Sequence, residues 1–500
     1  MQLFRTALLA AGVAIASAGS FTDDDGVTHT WTAANPTIVI GTHDAYSLLH
    51  MGLPASQIKA TFGTRASSGS NYGGVYANGN VADHGDHSST AYDPSAHPSD
   101  PTPEELSMLA GTADLSPGCS TSNFWCAEFD QTILDSVGWP DLIIQGPYGG
   151  PYALEQGSGT ADYATTAAAA RGIPVIKLNV PYSSAGTSAK DFVSVTQKFE
   201  ELATALGASN VASYVRADKT AMCSAVRSFK RTARRAADRG VRALALYAPY
   251  GAAATNGDVG AFLMSPDKDQ VLLMLEELGM GILHTDVDQT SAWEYAVTSD
   301  WSAGTLSATN MQSSGTLTGE PVKYPVDFFL YDARVTLDFT SQSFKDAWPH
   351  PALVAGQYAY WPSGGHIHSY RHATDILNIV GEKLAAANKI EDGTTEAHVA
   401  RACTSVDVID SETHRSTGLG PGEYACYNPI EYAWCEDFPE PDTASSSSNI
   451  SAGTLGGVAA GCAIGGLVIG LLVGKLLLGK KSAAKPTVTS SSASSAVGGA

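Results

Sequence analysis

Aromatic side chains gather where the strands of this chain are expected to end. Tyr148 and Tyr152 follow the apolar run Asp141 to Gln145. Tyr247 closes Val241 to Tyr247, with Tyr250 just beyond it. Tyr331 closes Val326 to Tyr331, with Arg334 beyond, and Trp361 closes Tyr358 to Trp361. A tyrosine offers an apolar face and a hydroxyl donor with few rotors to freeze. An arginine fork donates to pairs of oxygens. Together they suit a bulky, neutral, oxygen-rich chelate. The plainer reading is that such rings pack at domain edges.

The histidines suggest a different chemistry. His84 and His87 stand in a compact Asp83 to His87 group, and His366, His368 and His372 form a second one. Imidazole with carboxylate suits zinc or ferric iron, which makes His84, His87, His366 and His368 the candidate metal ligands. His368 and His372 share a face if that stretch is helical. The plainer reading is solvated loop histidines. Histidines beside a ligand would also protonate in an acidic compartment and promote release. The chain has no G-x-S-x-G, H-E-x-x-H, phosphate-loop or dinucleotide glycine pattern. No catalytic residue or prosthetic group is therefore expected; an anchored hydrolase with an unrecognised site is the reading from another class. The formal net charge of −21 disfavours nucleic acid as a partner.

The elements that must position these residues alternate between apolar strands and helices, which predicts an α/β fold with largely parallel sheets. Strands are expected at Thr37 to Gly41, Ala60 to Gly63 and Pro174 to Asn179, and helices at Phe129 to Val137, Ser188 to Leu206, Asp269 to Leu278 and Tyr370 to Asn388. Between two such halves runs Val211 to Gly240, with no proline and no interior glycine. As one helix it would be about 40 Å long. The expectation is two Rossmann-like lobes (19–210 and 241–390) joined by this linker helix, with a ligand between them at the carboxyl ends of the strands. The basic stretch Arg227 to Arg239 reads as a solvated face. Ser20 to Asn35 reads as a polar lead-in, Thr64 to Pro103 as a long functional or disordered loop, and 391–438 as a cysteine-containing extension.

The ends carry targeting signals. Arg5, an apolar run and Ala16-Ser17-Ala18 predict a signal peptide over 1–18. A Pro/Ser-rich linker (439–451) holds the glycosylation acceptor Asn449. The apolar segment 452–474 has the length of one membrane span, and the lysines after it put the tail 475–500 in the cytoplasm. This predicts a single-pass type I protein of the plasma or an endosomal membrane. Gly457, Gly461 and Gly465 share a register that suits close helix pairing and a homodimer. Of the seven cysteines, six precede the span. Six allow fifteen connectivities; Cys119 with Cys126, which closes a short loop, is the best single pair.

Four segments, in this order, carry a family resemblance: DAYSLLHMGLP (Asp44 to Pro54), ILDSVGWPDLIIQ (Ile133 to Gln145), FEELATALGASNVASYVRADK (Phe199 to Lys219) and WPHPALVAGQYAYW (Trp348 to Trp361). Over roughly Thr37 to Lys389 the chain resembles the helical-backbone (class III) solute-binding proteins, nearest the ferrichrome and hydroxamate-siderophore binders. With the span, it looks like the surface-anchored ferrichrome-binding-like proteins of eukaryotic algae. The resemblance implies capture of a ferric siderophore for iron uptake, with Tyr148 and Trp361 at the two ligand-contacting positions and a ferric reductase or transporter as partner. The family's arginine before its Pro-Asp strand has no counterpart in Asp114 to Phe129. A metal-ion, haem or cobalamin ligand on the same scaffold is the alternative.

Overall fold

The computed structural model describes residues 19–63, 107–116, 129–145, 168–178, 191–247, 260–285, 292–297, 305–312, 317–332, 350–361, 367–390, 409–410, 415–416, 424 and 429–438. Residues 1–438 form one compact unit. The signal segment, the loop after Gly63, Asn449 and the segment 452–474 lie outside the described residues. Among the described residues no helix is long and apolar enough to cross a membrane.

The expected polar lead-in is instead a hairpin, β1 (Gly19–Thr22) with β2 (Thr28–Trp31). Each strand buries one large ring, Phe21 and Trp31, so neither shows the alternation by which strands are recognised. Asp23 organises the turn. Its Oδ1 accepts from Asp25 N (3.1 Å) and Val27 N (2.9 Å), and its Oδ2 is 2.8 Å from His29 Nε2.

The first sheet contains β3 (Ile38–Gly41), β4 (Ile58–Phe62), β5 (Ala113–Asp114), β6 (Leu142–Gln145) and β7 (Val175–Lys177). Its order is β5-β4-β3-β6-β7, with every pair parallel. β3 and β6 are buried along their whole length, as strands covered on both faces must be. Helix α1 (Thr42–His50) leaves β3 directly. Helices α2 (Gln131–Val137) and α3 (Phe192–Ala205) begin at Asp130 and Asp191, whose carboxylates accept from their first-turn amides.

The second sheet is mixed, not largely parallel. It contains β8 (Ala243–Tyr247), β9 (Gly260–Met264), β10 (Ala292–Val297), β11 (Thr305–Gln312), β12 (Leu317–Pro325), β13 (Phe328–Asp332) and β14 (Tyr358–Trp361). Its order is β12-β11-β10-β9-β8-β13-β14. Only β8, β13 and β14 run parallel; β8 through β12 pair antiparallel in sequence. Runs such as TLSATNMQ (Thr305–Gln312) lack an apolar period, which is why sequence pattern did not mark them.

The linker is two helices rather than one. Short α4 (Val211–Tyr214) is followed, after a break at buried Val215, by α5 (Arg216–Asp238). Its 23 residues span about 35 Å. Met222, Cys223, Ala225, Val226, Phe229, Ala233 and Ala236 are its buried residues, a single apolar stripe. That stripe lies against α8 (Tyr370–Ala386), which follows the short α7 (Pro351–Val354) and β14 in the chain. A Cβ at Gly381 would come within 3.3 Å of the Phe229 ring, so the glycine permits the close approach. One hydrophobic core joins both sheets through these helices. It holds Ile38, Ile40 and Ile144 of the first sheet and Ala245, Leu330 and Trp361 of the second, with Phe199, Phe229 and Ile376 between.

The basic stretch of α5 is only partly a solvated face. Arg239 donates to Ala387 O (3.0 Å) and Leu384 O (3.2 Å), satisfying carbonyls at the end of α8. Arg227 Nη1 donates to Phe438 O (3.0 Å), and Lys230 Nζ donates to Ile430 O (3.1 Å) and pairs with Glu431. These contacts hold a strap, residues 429–438, along the helix. The strap is fastened by a disulfide between Cys223 and Cys435, 212 residues apart. It also reaches α6 (Gln270–Glu277), where Ile430 N donates to Glu277 O (2.8 Å), and Tyr370 of α8, against which Trp434 packs at 5.5 Å. Cys119 and Cys126 lie outside the described residues. Cys435→Ser is expected to lower folding stability by about 2–5 kcal/mol, read as a lower urea midpoint under non-reducing conditions.

At the amino ends of β8 and β13, Arg242 meets Asp327. Asp327 is fully buried. Its Oδ2 accepts from Arg242 N (2.9 Å) and Nε (2.8 Å), and its Oδ1 accepts from Ile390 N (2.7 Å). Gln357 bridges the same group, donating to Asp327 O (2.6 Å) and accepting from Asn388 N (2.7 Å).

Candidate functional site

Parallel strands deliver their following loops to one edge, and ligands of open α/β sheets collect there, most often where the strand order reverses. In the first sheet that reversal falls between β3 and β6. The chain leaves β3 outward to β4 and β5, then returns on the other side to β6 and β7. Ile40 pairs with Ile144, which places the α1 start beside the end of β6 at Gln145. Thr42 Oγ1 donates to Phe62 O (3.1 Å), tying α1 to the end of β4. Gln145 is buried. Tyr148 and Tyr152, three and seven residues beyond it, lie outside the described residues.

In the second sheet the parallel strands β8, β13 and β14 are neighbours. Tyr331 pairs with Leu246 on one side and Tyr360 on the other, and Asp332 pairs with Trp361. Tyr247 and Trp361 therefore end β8 and β14, and Tyr331 stands one residue before the end of β13 between them. Tyr250 and Arg334 lie outside the described residues.

Strand alternation settles what the sequence left open in β14. Ala359 and Trp361 turn inward, and Trp361 is fully buried within the shared core. Tyr358 and Tyr360 keep partial exposure on the opposite face, with rings edge to face at 6.4 Å. Tyr360, absent from the sequence-based candidates, is thus the accessible aromatic nearest the carboxyl end of this strand. Its signal was the Tyr-Ala-Tyr-Trp alternation, whose phase depends on which face meets the core.

The histidine expectation changes in kind. His84, His87 and His366 lie outside the described residues. His368 sits in the core, not in a helix with His372, because Ser369 caps α8 by accepting from His372 N. The His368 ring stacks on Phe192 (5.2 Å) and Phe199 (5.4 Å), and its Nε2 is hydrogen-bonded to Gln270 Oε1 at 3.0 Å. Burial first, then the neighbouring His43 and His372, push its pKa down to about 3. Among the described residues no group of three or more His, Cys, Asp or Glu side chains is placed to hold a metal ion.

Two titratable side chains open α1. His43 is partly exposed, yet the protein around it pushes its pKa down to about 3. Asp44 is 1% exposed, and its Oδ1 has no hydrogen-bond partner among the described residues. Burial pushes that carboxyl up to about 8, so it is mostly neutral at pH 7.

No family model and no curated protein matches this sequence. Solved structures do. DesE, a ferric-siderophore receptor protein from Streptomyces coelicolor, aligns with a TM-score of 0.47 and 18% identity over 75% of this chain and 100% of that one. PiuA, an iron uptake ABC transporter substrate-binding protein from Streptococcus pneumoniae, aligns with a TM-score of 0.40 and 11% identity over 74% and 99%. FhuD, a siderophore-binding protein from Vibrio cholerae solved with Fe3+–Desferal, gives 0.37 and 14% over 70% and 98%.

Proposed function

We propose that this chain is a binding protein that captures a ferric siderophore of the hydroxamate type for iron uptake, without chemistry on its cargo. The observation that carries this reading is the pairing of Tyr331 with Tyr360 near the carboxyl ends of β13 and β14, with Tyr247 closing the adjacent β8 one residue beyond the partner of Tyr331. Tyrosines at adjacent strand ends offer flat apolar area and hydroxyl donors to a rounded, oxygen-rich ligand. On the first sheet, Tyr148 and Tyr152 follow β6 in sequence, and β6 borders the reversal point. Arg334 would supply a bidentate donor. The segment 452–474 would hold the protein in a plasma or endosomal membrane, where a reductase or transporter takes the iron onward.

Titration of the full chain, followed by tryptophan fluorescence, tests this. Ferrioxamine B and ferrichrome are expected to give a saturable change, and free Zn²⁺ and cobalamin none. Tyr360→Ala is expected to weaken the chelate by about tenfold or more (~1.4 kcal/mol) while leaving the unfolding midpoint within experimental error. Binding of bare metal alone, or turnover of a generic ester, would overturn the reading.

A further inference from the structure

The strap, residues 429–438, joins parts of the chain that lie before and after the linker helices. Burial first, then the charges of Asp191 and Glu277, hold the Tyr432 hydroxyl well above its ordinary pKa. Asp191 caps α3, which precedes the linker, and Glu277 ends α6, which follows it. Ile430 N donates to Glu277 O (2.8 Å), and Trp434 meets the Tyr370 ring of α8 at 5.5 Å. Lys219 of α5 stands 5.0 Å from the Tyr370 ring and 5.7 Å from the Trp434 ring, while its Nζ is 2.7 Å from Glu200 of α3. The strap thus lies over the seam where α3, α5, α6 and α8 come together.

Its hold on that seam is chiefly covalent. None of residues 429–438 is fully buried. Tyr432 and Trp434 pack against the core from outside, yet Tyr432 Oη and Trp434 Nε1 are sealed from solvent with no hydrogen-bond partner among the described residues. Such unmade bonds oppose closure of the strap. The Cys223–Cys435 bond holds it closed against them. Cys223 is fully buried, whereas Cys435 is partly exposed, so an attacking thiol approaches from the strap side. Just before the strap, Tyr424 pairs with Leu283. That pairing keeps a freed strap beside its seat, ready to close again.

We infer that the strap is a redox latch: a dithiol reductant opens the Cys223–Cys435 bond in the folded protein, and the freed strap loosens the seam between α3 and α6. A thiolate of the reductant attacks the Cys435 sulfur. The S–S bond breaks as the mixed disulfide forms, and Cys223 leaves as a thiolate and takes up a proton. The second thiol of the reductant gives up its proton and attacks its own sulfur in the mixed disulfide. Cys435 then leaves as a thiolate and is protonated in turn. Two electrons have passed to the protein, and the dithiol has become a disulfide. The inference concerns the protein without ligand and stands whether or not the cargo is a siderophore.

Treatment of the full chain with dithiothreitol at pH 7.5, without denaturant, tests the latch. Alkylation and mass spectrometry are expected to find Cys223 and Cys435 both reduced. Hydrogen–deuterium exchange of residues 429–438 should then rise at least tenfold, with a smaller rise in 192–205 and 270–277 and none in β3, β6, β8 or β13. Cys435→Ser, which leaves the other cysteines in place, should show the same pattern without reductant. The reduced wild-type protein reads the same outcome should that variant fail to fold. A bond that resists dithiothreitol until urea unfolds the strands would overturn the inference. So would a strap still protected once the bond is open, or exchange that rises equally in every strand.

Discussion

Asp327→Ala is expected to cost about 3–5 kcal/mol of folding stability, among the largest losses from any single substitution in this chain. The carboxylate is fully buried and serves Arg242 through both its backbone amide and its Nε. Removing it takes the carboxylate from Arg242, a residue only 9% exposed. It also leaves the amides of Arg242 and Ile390 without their acceptor. A buried donor stripped of its partner pays its full desolvation cost. Asp327→Asn retains one acceptor oxygen and should fall between the two. Urea unfolding followed by circular dichroism reads the loss as a lower midpoint. These residues sit at the amino ends of β8 and β13, so chelate affinity in the folded variant should be unchanged. A midpoint within error of wild type would show that Arg242 finds water instead.

Asp44→Asn is expected to do the reverse and stabilise the fold at neutral pH. An unfolded aspartate ionises near pH 4, whereas in the fold burial holds this carboxyl protonated up to about pH 8. Below pH 4 both states carry the proton and the residue has no effect. As pH rises from 4 to 8 only the unfolded state gains by ionising, so stability is lost across that window. At pH 7 the deficit is about 4 kcal/mol, and asparagine, which does not ionise, escapes it. Thermal unfolding of the two proteins should therefore coincide near pH 4 and diverge steadily towards pH 7. Equal stability at pH 7 would mean that Asp44 is ionised and paired in the fold. His43 and His368 act in the opposite sense, since their depressed folded values drain stability as pH falls from about 6.5 towards 3.

Local pattern made the framework of the fold legible. β3, β6 and β8 are short apolar runs, and α3, α5 and α8 show a clear buried face, so each was placed to within a few residues. The antiparallel strands β9 to β12 were not legible, because their order depends on pairing across the sheet rather than on a period along the chain. The break at buried Val215 was hidden too, since no proline or glycine marks it. At the site, strand ends could be found from sequence but their facing could not. Trp361 is buried and Tyr360 partly exposed because alternation has two phases and only the core selects one. The hydrogen bond between Ser47 and His368 spans 321 residues of separation. No spacing rule reaches that far.

The Cys223–Cys435 linkage has a mechanical consequence. It closes a covalent ring that contains the whole second sheet and leaves the chain beyond Phe438 outside it. Tension arriving from that end passes at Cys435 into the middle of α5, and the enclosed strands carry none of it. A tether on this side can therefore pull hard on the molecule without unzipping β8, β13 or β14. Only cutting the sulfur link would put those strands in the line of load.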